Sequence, residues 1–280
     1  MPIKDILIPL DETGQAAVRL DLACVIARRH GAHVTGLFVV DSAIPALAGA
    51  EAGGAVLADL IEVMRNDALE AAERAEATFR DKLRREGLAH EWRVAEGLTP
   101  QQVALHGRYA DLIILGQDSP DETQIAAGPT LEAALFTTGR PVLVVPYAKG
   151  SPDIGKRVLI GWNAKREAVR AVNDALPLMA GADSVTVLVV NPEPGDDTHG
   201  EEPGADIACH LARHGVTVTV ERVVAPELTA DDALLNRAAE TGADLIVIGG
   251  YGHSRLRELV LGGVTRGLLR HMTVPILMSH

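Results

Sequence analysis

Residues 244–265 read DLIVIGGYGHSRLRELVLGGVT. The apolar run 245–248 has the length of a buried parallel strand. Glycines follow at Gly249, Gly250 and Gly252. An amphipathic segment then leads to a second pair, Gly262 and Gly263, and residues 264–272 have helical spacing. A strand that ends in glycines and feeds a helix N-terminus lets backbone N–H groups converge on an anion. Glycine suits such a turn because it reaches positive φ and lets a phosphate approach the backbone.

Outward from this stretch, the chain repeats itself. KRVLIG at 156–161 answers KDILIP at 4–9, and EAVRA at 167–171 answers AAVRL at 16–20. VTVLVV at 185–190 answers VTGLFVV at 34–40, and ADLIVIGG at 243–250 answers ADLIILGQ at 110–117. TVPILM at 273–278 answers GRPVLVV at 139–145. Matched segments in one order imply an internal duplication. The expected domains are 1–148 and 156–280, joined by the linker KGSPDIG at 149–155.

In the first half the apolar runs 3–9, 34–40, 92–95, 112–116 and 141–146 read as strands. Helical spacing marks 15–30, 57–86, 99–108 and 130–138. Asp11 or Thr13 is expected to cap the first helix, and Thr99 the third, with Pro100 in its first turn. The alternation predicts an α/β fold of two tandem, doubly wound parallel five-stranded sheets, with helices on both faces. Two insertions are expected at the C-terminal edges of the sheets, where such folds bind ligands. One is Ala/Gly-rich, 44–56, and reads as a lid. The other is acidic and Pro/Gly-rich, 191–206.

A formal charge of −12 weighs against nonspecific nucleic-acid binding and against an acidic membrane surface. No apolar run approaches the roughly 20 residues of a membrane span, and the N-terminal run is too short for a signal peptide. A cytoplasmic protein is expected. Cys24 and Cys209 form neither a disulfide framework nor a CxxC motif.

The second-half glycines obey a spacing: Gly249-x-x-Gly252, nine residues, then Gly262, Gly263, Val264 and Thr265. This resembles the G-x2-G-x9-G-[ST] nucleotide loop of the universal stress protein family. With the strand before it and VPILM after it, the resemblance covers the whole chain as two tandem copies. It implies a Rossmann-like, adenine-nucleotide α-hydrolase-like fold. It also implies an intramolecular pseudo-dimer in which the last strands, 142–145 and 276–278, pair with each other. Whether two chains associate further stays open.

In the family that loop holds the phosphates of ATP, and the end of the first strand contacts adenine and ribose. Carried over by position, Gly249, Gly252, Gly262, Gly263, Val264 and Thr265 surround the phosphates. His253 borders the loop. Ile248 and Val190 flank the base, and Gly161 and Asn163 form the end of the first strand. Two residues depart from the family pattern. Gly263 stands where Ser or Thr is usual, with Thr265 as the substitute hydroxyl, and Asn163 stands where an acid is usual. The first half keeps Pro9 and Asp11, but its loop has Ser119 for a glycine and Pro129 where an N–H is wanted. Asp118, Asp121 and Glu122 add negative charge there.

Other motifs fall short. Gly250-x-Gly252 lacks the third glycine of a dinucleotide fingerprint, since position 255 is Arg255. No GxxxxGK[ST] is present; Arg255 and Arg266 are the cations near the loop. Ser254 sits in an incomplete nucleophile elbow without a following acid and His. His210 and His214 are a pair without a third ligand. No catalytic residue and no metal site is assigned. The expected function is stress-response nucleotide binding: ATP or a related adenine nucleotide, with Mg2+ allowed, acts as a regulatory ligand with at most slow hydrolysis. The alternative is a protein-partner module that binds no nucleotide. An adenylyl-transferase-like enzyme is disfavoured because neither half has an SGG-type loop after its first strand.

Overall fold

The computed structural model describes residues 2–41, 54–117, 127–147, 153–192, 202–250 and 263–280. Gly252, His253, Gly262, Ser254, Arg255, the acidic stretch 193–201, most of the Ala/Gly-rich insertion and the first-half loop residues 118–126 lie outside the described residues.

The chain divides into two units, one of residues 3–115 and 129–140, the other of 116–128 and 141–280 with the first two residues. In the first unit, β1 (Asp5–Pro9), β2 (His33–Asp41), β3 (His90–Gly97) and β4 (Leu112–Gly116) form a parallel sheet in the order β3-β2-β1-β4. Helices α1 (Gly14–His30), α2 (Gly54–Arg85), α3 (Thr99–Gly107) and α4 (Ala127–Thr137) connect or follow the strands. The strands are apolar because both faces are covered: Ile6, Ile8, Val34, Leu37, Ile113 and Ile114 are fully buried.

The second unit contains β5 (Val142–Val145), β6 (Arg157–Gly161), α5 (Arg166–Met179), β7 (Ser184–Val190), α6 (Ala205–Arg213), β8 (Val218–Val223), α7 (Ala230–Thr241), β9 (Leu245–Gly249), α8 (Gly263–His271) and β10 (Ile276–Ser279). Its order is β8-β7-β6-β9-β10, all parallel, the same winding as in the first unit. β5 then adds to β10 antiparallel, with Leu277 opposite Leu143. The two last strands therefore pair, and each ladder covers what would otherwise be a bare apolar edge.

The repeated ADL has a structural role. Asp111 Oδ2 accepts from the N–H groups of Lys4 (2.8 Å) and Asp5 (3.2 Å). Asp244 accepts from Gly155 (2.6 Å), Lys156 (3.0 Å) and Arg157 (2.9 Å). In each unit the aspartate that opens one central strand thus anchors the start of its neighbour.

Three local expectations need correction. α2 begins at Gly54, so the tail of the 44–56 insertion is helix, and α6 begins at Ala205, inside the stretch expected as acidic loop. Thr99 is not the cap of α3. Leu98 holds the extended N-cap conformation, and Asp41 at the end of β2 accepts from both Thr99 N–H (2.9 Å) and Thr99 Oγ1 (2.5 Å). A carboxylate from another element does the capping, which helix start signals alone do not show. At α1, Thr13 is the N-cap but makes no side-chain cap bond.

Candidate functional site

The site expected from the sequence lies where β6 and β9 end side by side, with Gly161 in register with Ile248. Ligands of open α/β sheets bind at such carboxyl ends. After Gly161 the chain turns: Trp162 N–H donates to Leu188 O (3.0 Å). Asn163 Oδ1 accepts from Lys165 N–H (3.1 Å), with Ala164 at φ 55° between them. The amide oxygen is thereby committed to its own turn. The Asn163 NH2 is the group left to donate outward.

Gly249 and Gly263 are glycines for different reasons. A Cβ on Gly249 would lie 2.5 Å from Ala168 N and 2.6 Å from Glu167 C, so the end of β9 presses on the first turn of α5. At Gly263 a Cβ would meet nothing within 4 Å, and the backbone is not left-handed. No described residue calls for a glycine there. Val264 beside it is 41% exposed, whereas Thr265 is 5% exposed. Ile248 is buried, and its Cγ2 faces the space that a Gly161 side chain would fill, 3.0 Å away. Val190 is half-buried at the end of β7.

Several residues that shape this edge were not singled out from the sequence. Asn191 follows Val190 at φ 47°. Its Oδ1 accepts from Ala225 N–H (2.7 Å) and its Nδ2 donates to Ala225 O (3.1 Å), tying the end of β7 to the loop after β8. Asn tolerates this left-handed backbone better than most residues, which was the available signal. Glu167, with its side chain 15% exposed, lies in the first turn of α5 against Gly249. Asp231, at the start of α7, packs its carboxylate onto α8 where Gly267 leaves room. Gln117 Nε2 donates to Leu269 O (2.7 Å) and Arg270 O (3.2 Å), and its Oε1 accepts from Tyr147 N–H (3.0 Å). It thus holds the C-terminal end of the helix whose N-terminus is Gly263. His280 Nδ1 donates to Gly250 O (3.1 Å), and Gly250 N–H donates to Ser279 O (2.8 Å).

In the first unit Asp11 occupies the equivalent turn, but both of its oxygens are engaged. Oδ1 accepts from Thr13 N–H (2.9 Å) and Thr13 Oγ1 (2.5 Å), and Oδ2 accepts from Arg19 (2.8 Å). The Arg19 side chain is only 7% exposed. The acid that matches the family's first-strand pattern is engaged by its own turn and by a buried guanidinium. Elsewhere, the His210 and His214 rings lie tilted at 58° with centroids 4.7 Å apart. Among the described residues no group of three His, Cys, Asp or Glu side chains could hold a metal ion. No helix in the described residues is long and apolar enough to cross a membrane.

The universal stress protein family model matches residues 155–280. A universal stress protein of Synechocystis sp. is 26% identical over 169 residues, which are 60% of this chain and 57% of that protein. The chain therefore spans somewhat over half the length of that curated relative. Among solved structures, a universal stress protein from Archaeoglobus fulgidus superposes with a TM-score of 0.75 at 19% identity, over 98% of this chain and 94% of that one. A functionally unknown protein from Pseudomonas aeruginosa PAO1 gives 0.64 at 17% identity, over 98% and 92%. At such identities the likeness establishes the fold.

Proposed function

Residues 155–280 belong to the universal stress protein family, and on that premise we propose that the second unit binds ATP, or a related adenine nucleotide, as a regulatory ligand. The proposed organisation is two tandem domains, 1–148 and 156–280, with 149–155 as linker. One observation carries the reading: no described residue calls for the glycine that opens α8, the helix that follows β9 in the chain, and β9 ends in register with β6. That arrangement supplies unhindered N–H groups and the positive end of a helix dipole. Thr265, two residues on and buried, is the hydroxyl of that first turn. The Asn163 NH2 is the donor on the base or ribose side.

The electrostatics add a condition. Glu167 and Asp231 bring carboxylates to the elements that frame the site, so a bare polyphosphate would be repelled. A nucleotide enters this edge with Mg2+ in our reading.

The test is calorimetric titration of the full chain with Mg-ATP, Mg-ADP and cAMP, alongside Gly263→Asp. One site per chain, abolished by that variant while the circular-dichroism melt is kept, supports the proposal. Absence of heat with every nucleotide sinks it and favours a module that acts through protein partners.

A further inference from the structure

The first unit contains a cavity of about 320 Å³ at the opposite end of its strands. It lies between the starts of β1, β2 and β3 and the C-terminal end of α3. Its lining is polar: Asp5, His33, Glu91, Arg93, His106 and Tyr109 contribute side chains. We propose that this cavity is a binding site for a small, neutral, polyhydroxylated molecule such as a monosaccharide or cyclitol. The inference stands independently of nucleotide binding by the second unit.

Charge decides the ligand class. Arg93 is the fixed cation of the lining, and it is already paired with the Glu91 carboxylate. Asp5 supplies a second carboxylate, so the fixed charges sum to an excess of negative. A phosphate or a polyanion finds no uncompensated cation there.

Donors and acceptors are mixed at close range. Arg93 Nη1 lies 3.2 Å from His106 Nδ1. A guanidinium only donates, so Nδ1 accepts and His106 carries its proton on Nε2. Thr35 Oγ1 donates to Glu91 Oε1 (3.3 Å). Asp5 is in register with His33, which places a carboxylate beside an imidazole. Hydroxyl groups donate and accept at once, so a polyol can satisfy such an alternating set where a purely anionic or purely cationic ligand cannot. Tyr109, 78% exposed at the cavity, adds a ring face for the C–H side of a sugar. The volume falls at the lower end of the roughly 300–1,000 Å³ usual for small-molecule sites.

The second unit closes the corresponding helix-to-edge-strand gap. Arg237 on α7 reaches Glu221 on β8 through two bonds, 2.5 and 2.6 Å, and Glu240 through a third of 2.9 Å. In the first unit the arginine sits on the strand instead, and a single bond to His106 bridges to the helix.

The experiment is saturation-transfer NMR on the full chain with glucose, ribose and myo-inositol, and with inorganic phosphate and putrescine as charged comparators. Transfer to at least one polyol, lost in Arg93→Met and weakened at least threefold in Tyr109→Ala, is expected. Arg237→Met, in the other unit, should leave it unchanged. Tyr109 is exposed, so its truncation tests the site without threatening the fold. Absence of transfer to every polyol, transfer that survives both first-unit variants, or binding of phosphate or putrescine alone would overturn the assignment.

Discussion

The Cβ that Gly249 lacks would lie 2.5 Å from the backbone nitrogen of Ala168, well inside contact distance. β9 and α5 are therefore in direct backbone contact at the edge proposed to hold a nucleotide. Gly249→Ala should force them apart and cost about 1–3 kcal/mol, the usual range for overpacking. Gly263→Ala meets no described residue and should leave stability unchanged or raise it by up to about 1 kcal/mol, since alanine favours helix. Denaturant midpoints of the two variants check the contrast. Equal losses would mean that Gly263 is a packing glycine as well, and its support for the nucleotide site would go.

Asp244 receives three consecutive backbone N–H groups and is 6% exposed, whereas Asp111 receives two and is half-buried. Charge-assisted bonds of this kind are strong, and orphaned buried N–H groups are costly. Asp244→Ala should lower stability by about 3 kcal/mol, and Asp111→Ala by roughly half as much. Urea unfolding curves measure both. The order of the two, more than the sizes, is the content of the prediction.

These residues also show how much was legible in the sequence. The run 245–248, the ADL repeats and the last strands carry strong local signals, and the winding follows from them, whereas the pairing of β5 with β10 was legible only through the family resemblance. A glycine spacing, however, does not distinguish a glycine needed by a neighbouring helix from one kept open for a ligand. Gly249 and Gly263 look alike in the motif and differ in space. Gln117 acts on Leu269 and Arg270, and Asp41 on Thr99, across separations that no local pattern encodes. Asp11 fits the family pattern of the first-strand turn, but its pairing with Arg19, eight residues on and buried, is not encoded in that pattern. The cavity by Arg93 and His106 draws on strands and a helix far apart in the chain, so no motif announces it.

The two cysteines should differ sharply in reactivity. Cys24 is 1% exposed, and burial pushes its thiol up to about 11, so almost no thiolate is present near neutrality. Cys209 is exposed on α6. Ellman's reagent should titrate one thiol per native chain rapidly, assigned to Cys209 by its loss in Cys209→Ser. The second thiol should appear only in denaturant. Two fast thiols would mean that α1 opens readily from its sheet.

His106 is held below the ordinary imidazole value of 6.5, first by burial and then by the Arg93 charge, with Glu91 opposing. His30 is lowered as well, by burial first and then by Arg29 and Lys4. The folded state thus binds these protons less readily than the unfolded chain does. Their contribution to stability is complete above 6.5 and is lost as pH falls through 6.5 toward the lower folded values. Denaturant midpoints should drop between pH 7.5 and 5, and His106→Leu should flatten part of that slope. An NMR titration that places the His106 imidazole above 6.5 would contradict the arrangement with Arg93.

The last prediction concerns the pair that separates the two units at the otherwise equivalent turn. The repeat sets Arg19 against Arg170, but Arg170 is exposed and pairs with Asp174 (2.8 Å), and the buried position beside it is Ala171. Asp11 matches Asn163. The first unit therefore has a charged pair where the second has a neutral one. Removing only the acid strands a guanidinium whose side chain is 7% exposed and whose Nε already has no hydrogen-bond partner among the described residues. Breaking one side of a buried pair costs about 3–5 kcal/mol, and the partial exposure of Asp11 brings the expected cost of Asp11→Asn to roughly 2–3 kcal/mol. The double variant Asp11→Asn/Arg19→Met removes both charges, fills most of the same volume and reproduces the neutral pattern of the second unit. It should be more stable than Asp11→Asn alone. A double-mutant cycle by urea denaturation gives the coupling directly. A coupling near zero would mean that Arg19 finds its counter-charge elsewhere, and Asp11 would then be free to meet a ligand after all.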